Sequence, residues 1–176
     1  MMLVHIILFI YVFNYKHIIM LYWIFDLDFT LYQLPYGTSF SYNKLTNDSQ
    51  LRYLLRKLPS HRLMFTNGTI FHADTCIETM NLKNCFHNVI ARDSIQDLKP
   101  NTSAYQKFEV LNNINREDKC VFFEDMVENL IVAKDRGWIT VLINPHNKQV
   151  HESIDFQFPN IYVALNYFNT AIGNHY

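Results

Sequence analysis

Two aspartates two residues apart, Asp26 and Asp28, close an almost wholly apolar run in "WIFDLDFTLY". In extended chain, residues i and i+2 point to the same side, so both carboxylates face one reaction centre. One carboxylate can attack phosphorus while the other exchanges a proton with the leaving oxygen, which divides a hard displacement into two easier ones. Polar groups also end other apolar runs: Thr66, Asn67 and Gly68 in "FTNG", and Glu124 and Asp125, with Asn129 one turn on, in "FFEDMVEN". Lys99 stands before Pro100 in "LKP". The Thr66 hydroxyl, the amides around Asn67 and the Lys99 ammonium are suitable donors to the oxygens of a transferring phosphoryl group. Three or four crowded carboxylates repel one another unless something positive sits among them. A hard divalent cation plus Lys99 answers that need, and Mg²⁺ prefers a few carboxylate oxygens together with substrate phosphate.

The elements that must position these groups alternate short apolar runs with amphipathic helical stretches from residue 21 onward. That alternation signals a parallel sheet with crossover helices. Strands are expected over 21–27, 62–66, 88–91, 120–124 and 140–143, and helices over 48–58, 70–80, 102–112, 127–136 and 161–168. Asn101 or Thr102 is an N-cap candidate after Pro100, and Gly137 stands where a helix ends. In an open parallel sheet, ligands bind outside the carboxyl ends of the strands, where these polar groups fall, and Lys99, ahead of the helix that leads to the fourth strand, converges on the same edge.

With 176 residues, 49% of them apolar and 15% aromatic, the chain suffices for one ordinary domain with a sizeable core. A formal net charge of −1 and scattered Lys and Arg argue against a nucleic-acid or membrane-surface footprint. The three cysteines are odd in number and read as reduced, buried thiols, which makes the cytoplasm the default location. The eight histidines show no His-x₃-His pair or Cys partner at ligand spacing, which argues against zinc. A receiver domain, which also combines aspartates, magnesium, Thr and Lys, is excluded because its acidic pair is adjacent at the first strand and its phosphorylated Asp ends the third. Residues 1–19 form a hydrophobic extension whose apolar run, "MMLVHIILFIYVF", falls short of a bilayer span. Three readings of it stand: an element packed on the domain, a membrane anchor, or an upstream start that is not used. The domain itself is taken as 20–176.

Each polar group alone has a bland explanation as a cap, turn or solvated loop residue. Their joint order does not. "DLDFT", "FTNG", "LKP" and "FFEDMVEN" together resemble the four motifs of the haloacid dehalogenase superfamily of phosphohydrolases. Within it, "FDLDFTLY", "TNGTIFHA", "LKPNTSAYQKFEVLNNI" and "FFEDMVENLIVAKDRGWITVLI" are most similar to the pyrimidine 5′-nucleotidase group, over residues 21–168. The resemblance implies a three-layer Rossmann-like α/β core, with a mainly parallel five-stranded sheet flanked by helices. It makes Asp26 the nucleophile that becomes an aspartyl-phosphate. Asp28 becomes the general acid/base, reaching the metal through its backbone carbonyl. Thr66, Asn67 and Lys99 hold the phosphoryl group, and Asp125 joins Asp26 and Asp28 at Mg²⁺. Thr30, Glu124 and Asn129 support the motifs from behind.

Two departures qualify the resemblance. Phe29 stands where the superfamily often has a second acidic residue. Only residues 31–65 separate the first two motifs, too few for the helical cap of the nucleotidase group. A cap excludes water and supplies most substrate contacts, so a capless site is open. It suits a small phosphorylated substrate, with a nucleotide favoured, or a bulky one, or closure by a partner subunit. Tyr32, Tyr36, Phe40 and Tyr42 either line its mouth or pack as a flap. The expected activity is a Mg²⁺-dependent phosphatase. The rival readings are a catalytically weak interaction module and a phosphotransferase.

Overall fold

Along β1, Leu21–Phe25, Tyr22 and Ile24 face one side while Trp23 and Phe25 face the other. The same alternation recurs in β4, Lys119–Glu124, where Cys120 and Phe122 share the first face and Val121 and Phe123 the second. Apolar residues on both faces require cover on both, which is the signature of a parallel sheet between two helical layers. The structure is a computed structural model that describes residues 19–35, 37–145 and 151–173. The predicted extension over 1–19 lies, but for Ile19, outside the described residues.

After β1 come α1 (Ser49–Lys57), β2 (His61–Phe65), α2 (Ile70–Thr79) and β3 (Asn88–Ile90). Then follow α3 (Thr102–Leu111), β4, α4 (Val127–Asp135), β5 (Ile139–Ile143), β6 (Phe156–Phe158) and α5 (Ile161–Gly173). The strand order is β3-β2-β1-β4-β5-β6, and every pairing is parallel. One core layer joins α1, α2 and α5 to the sheet through Leu51, Leu55, Cys76, Leu165 and Phe168 around Trp23 and Phe123. The opposite layer joins α3 and α4 through Tyr105, Phe108, Leu130 and Ala133, with Trp138, against Phe65 and Phe122.

Helix starts follow local chemistry. Asp48 accepts from Leu51 N at 2.8 Å, Thr69 from His72 N at 3.2 Å and Asn101 from Ser103 N at 3.2 Å, capping α1, α2 and α3. Gly137, at φ +81°, ends α4 as expected, its N–H donating to Lys134 O.

The sheet has six strands rather than the expected five. β6 is three residues long, too short to show a period, and it is held by its register against β5, Val141 opposite Phe156 and Ile143 opposite Phe158. β1 stops at Phe25, not at residue 27. Asp26 N still donates to Phe123 O at 2.9 Å, and the chain then turns, with Phe29 in the left-handed region at φ 59°. The cap is missing, as expected: among the described residues between the first two motifs, only the 3-10 turn Tyr42–Lys44 and α1 are helical, and α1 belongs to the core layer. No helix among the described residues is long and apolar enough to cross a membrane.

Candidate active site

The strand order reverses between β1 and β4, and their carboxyl ends open a crevice there. Asp26 follows β1, Glu124 ends β4, and Asp125 comes next. One carboxylate oxygen from each of the three lies within 4.8 Å of the others. Lys99 reaches into this group, although it lies far along the chain. Its Nζ donates to Asp26 Oδ1 at 2.8 Å, Glu124 Oε2 at 2.7 Å and Phe65 O at 2.7 Å, so its three protons are all used. The aromatic faces of Phe65 and Phe122, centred 5.0 and 5.1 Å away, wall in the ammonium.

Lys99 is placed by Asn67. The Asn67 carboxamide accepts from Lys99 N and donates to Lys99 O, both at 2.9 Å, and the Lys99–Pro100 peptide is cis. With its side chain so engaged, Asn67 has its backbone N–H to offer a phosphate. Thr66 is buried, and its Oγ1 accepts from Gly68 N at 2.9 Å, which leaves the hydroxyl proton available. Glu124 also accepts from Met126 N at 3.2 Å, and the Asn129 side chain stabilises its charge. Asn129 is held from behind by Tyr105, whose OH donates to the Asn129 carbonyl at 2.7 Å. Thr30 Oγ1 and Asn129 Oδ1 are buried without a hydrogen-bond partner.

Three carboxylates cluster about one ammonium that is bonded to only two of them, Asp26 and Glu124, and the imbalance shows in their proton affinities. Burial, then repulsion from Glu124, pushes Asp26 up to about 7 in spite of Lys99. Asp125 is pushed up to about 6 by burial and then by Asp26. Glu124 is raised as well, by burial first. Burial opposes the charge on Lys99, but Asp26 and Glu124 outweigh it, and its pKa lies above the ordinary value. At neutral pH the group therefore lacks positive charge. Its donors are all hard oxygens, close enough for one ion, which fits Mg²⁺ or Ca²⁺ better than a softer metal. The resemblance places Glu124 behind the motif and Asp28 at the metal through its carbonyl; in the structure the Glu124 carboxylate stands in the acidic trio itself.

The Asp28 carboxylate has a different set of partners. Its Oδ1 accepts from Tyr32 OH and lies 2.7 Å from His72 Nε2, and His72 Nδ1 lies 3.0 Å from Tyr42 OH. Sequence reasoning did not find His72. The available signal was its place in the first turn of α2, just after "TNG", at the same end of the sheet as Asp28. Contrary to the expectation of no Cys partner at ligand spacing, His72 and Cys76 form a His-x₃-Cys pair. Cys76 Sγ lies 3.8 Å from His72 Nε2, but burial, then Asp28, pushes that thiol up to about 12, where it makes a poor metal ligand. Tyr32, Phe40 and Tyr42 pack together as a flap over His72, with Phe40 and Tyr42 ring centres 5.1 and 5.6 Å from the imidazole. Tyr36 lies outside the described residues. An open cleft of about 610 Å³ adjoins Asp125, walled by Phe29, Leu34 and Pro35 on one side and Ile143 to Pro145 on the other.

No protein-family model matches this chain. Among solved structures it is similar to the L-2-haloacid dehalogenase of Xanthobacter autotrophicus with chloropropionic acid covalently bound. That match has TM-score 0.58 and 18% identity, covering 71% of this chain and 62% of the dehalogenase. A haloacid dehalogenase superfamily hydrolase from Ehrlichia chaffeensis matches with TM-score 0.54 and 18% identity over 71% of this chain and 58% of that one. A phosphatase of the same superfamily from Thermococcus onnurineus matches with TM-score 0.54 and 19% identity over 66% and 54%. A Bacillus subtilis hydrolase of that superfamily, bound to magnesium, matches with TM-score 0.55 and 14% identity over 66% and 54%. The chain thus spans between about half and six-tenths of the length of these structures. Its fold is that of the haloacid dehalogenase superfamily hydrolases.

Proposed function

We propose that this chain is a metal-dependent phosphohydrolase that cleaves a phosphate monoester through a phospho-Asp26 intermediate, with a nucleotide as the favoured substrate. The observation that carries the reading is the converging trio of Asp26, Glu124 and Asp125, two of them bonded to a fully engaged Lys99. Displacing halide from carbon calls for neither a bound cation nor a proton donor for the leaving group. Phosphoryl transfer from an ester calls for both.

In the first step an oxygen of Asp26 bonds to phosphorus while the ester P–O bond breaks, and Asp28 gives its proton to the leaving oxygen. In the second, Asp28 takes a proton from water as that water attacks phosphorus, releasing phosphate and restoring Asp26. Lys99, whose three protons are engaged, offsets charge on the phosphoryl oxygens through its field, and the Thr66 hydroxyl and the Asn67 N–H donate to them. Asp26 and Asp125, beside Glu124 and with the carbonyl of Asp28, would hold the divalent cation, which when bound keeps Asp26 ionised and offsets the phosphoryl charge. The cleft between Phe29 and Pro145, beside Asp125, offers room for the leaving group. That cleft is open, which suits a bulky ester or closure by a partner, and the nucleotide preference rests on the motif resemblance alone.

The test is phosphate release by the purified chain from 4-nitrophenyl phosphate and from nucleoside monophosphates, with Mg²⁺ and with chelator. Turnover should require the cation, and Asp26→Asn should lower it by about 10³-fold or more, as for other nucleophile deletions. Halide release from 2-chloropropionate without phosphatase activity, or an Asp26→Asn variant as active as wild type, would overturn the proposal.

A further inference from the structure

The Asp28 side chain is 35% exposed, and a carboxylate that accessible samples several rotamers unless something holds it. A proton donor to the leaving group cannot be so loose, because misplacement by about 1 Å can cost about 10²-fold in rate. His72 supplies such a hold. Thr69 caps α2 by accepting from His72 N, which sets the imidazole in the first turn, at the sheet end where Asp28 lies. With its proton on Nε2 the imidazole satisfies both oxygen contacts: Nε2–H donates to Asp28 Oδ1, and Nδ1 accepts from Tyr42 OH. Tyr32 OH donates to the same Oδ1. Two donors therefore hold one oxygen. The other, Oδ2, borders Gly68, where an added Cβ would stand 3.6 Å from it and 3.2 Å from Thr66 Oγ1. Oδ2 thus looks towards the side on which the phosphoryl oxygens are held.

We propose that His72 is the positioning residue for Asp28: with Tyr32 it locks Oδ1, so that Oδ2 alone carries the proton to the leaving oxygen. The flap residues Tyr42 and Phe40 keep the imidazole in one tautomer and sheltered from water. This rests on the phosphohydrolase reading and adds to it a residue that touches neither substrate nor metal.

A merely structural histidine would change activity on all esters alike; a positioning one would not. An activated aryl phosphate leaves with little need of a proton, whereas an alkyl phosphate cannot. The experiment compares kcat and KM for 4-nitrophenyl phosphate and an alkyl phosphate in wild type, His72→Asn, His72→Gln and Tyr42→Phe. Gln can set its amide N–H where Nε2 stands; Asn stops short of Asp28. His72→Asn should lower kcat on the alkyl ester by about 10²-fold, the low end of general-acid contributions, with less than about 3-fold loss on the aryl ester and KM little changed. His72→Gln should recover most of the difference. Equal losses on both esters, no loss on either, or no recovery by Gln while wild type is active would overturn the role of His72 and leave the phosphatase reading standing. Wild type that cleaves neither ester would overturn that reading and this role with it. If His72→Asn does not fold, Tyr42→Phe decides. A smaller loss confined to the alkyl ester supports the proposal, and uniform or absent loss rejects it.

Discussion

Gly68 shows how tightly the site is built at the level of single atoms. An added Cβ would stand 2.9 Å from His72 Cδ2 and 3.2 Å from Thr66 Oγ1. Its backbone is not in the left-handed region, so the demand for glycine is one of space alone. Gly68→Ala should therefore fold, destabilised by about 1–3 kcal/mol as overpacked sites are. It should lose activity out of proportion to that, because the imbalance falls on the imidazole behind Asp28 and on the Thr66 hydroxyl. Thermal unfolding and steady-state rates measured side by side check this; unchanged turnover would mean that the imidazole can move without consequence. Lys99 illustrates the opposite economy. A single buried cation satisfies Asp26, Glu124 and the Phe65 carbonyl together, and a shorter or uncharged side chain there would leave two buried carboxylates facing each other.

Among the elements, the layer of α1, α2 and α5 is tied together at one residue. Asp48 caps α1 through Leu51 N, its own N–H donates to Met80 O just after α2, and its carboxylate accepts from Tyr162 OH on α5. Removing an N-cap alone costs about 1 kcal/mol, and an orphaned partner adds about as much. Asp48→Ala should thus lower stability by about 2 kcal/mol in chemical denaturation, with the slope of the transition unchanged. Phosphate release should persist, since none of these groups reaches the crevice. The same layer explains why no cap forms: the helix between the first two motifs spends Leu51, Leu54 and Leu55 on the core. The loop left over supplies the flap of Tyr32, Phe40 and Tyr42 in its place.

For the molecule as a whole, the acidic crevice makes stability depend on pH and on cations. Burial and mutual repulsion push Asp26 up to about 7 and Asp125 up to about 6 in the folded chain, against an ordinary 3.8. The folded state therefore holds these protons to higher pH than the unfolded state does. Their contribution is most favourable below the unfolded value and is lost as pH rises through about 6 to 7. In chelator, the melting temperature should fall between pH 5.5 and pH 8. Adding Mg²⁺ should restore it at pH 8 and do little at pH 5.5, where protons occupy the same oxygens. A melting temperature insensitive to Mg²⁺ at pH 8 would count against a shared ion.

Much of this was readable along the chain. Alternating apolar runs specify a two-sided parallel sheet, and polar residues at the run ends specify which end carries chemistry, because burial tolerates such groups only where the sheet stops. Asp26, Lys99, Glu124 and Asp125 could be named from the order of four short motifs, though none of them from its own surroundings alone. What pattern could not supply were relations across the chain. The six-strand count depended on β6, held by register rather than period. The choice of Glu124 for the acidic trio depended on where the carboxylates converge. The pairing of His72 with Asp28, 44 residues apart, arises only when α2 packs against the end of β1. Periodicity records which face is buried; only packing in three dimensions decides which polar atoms meet.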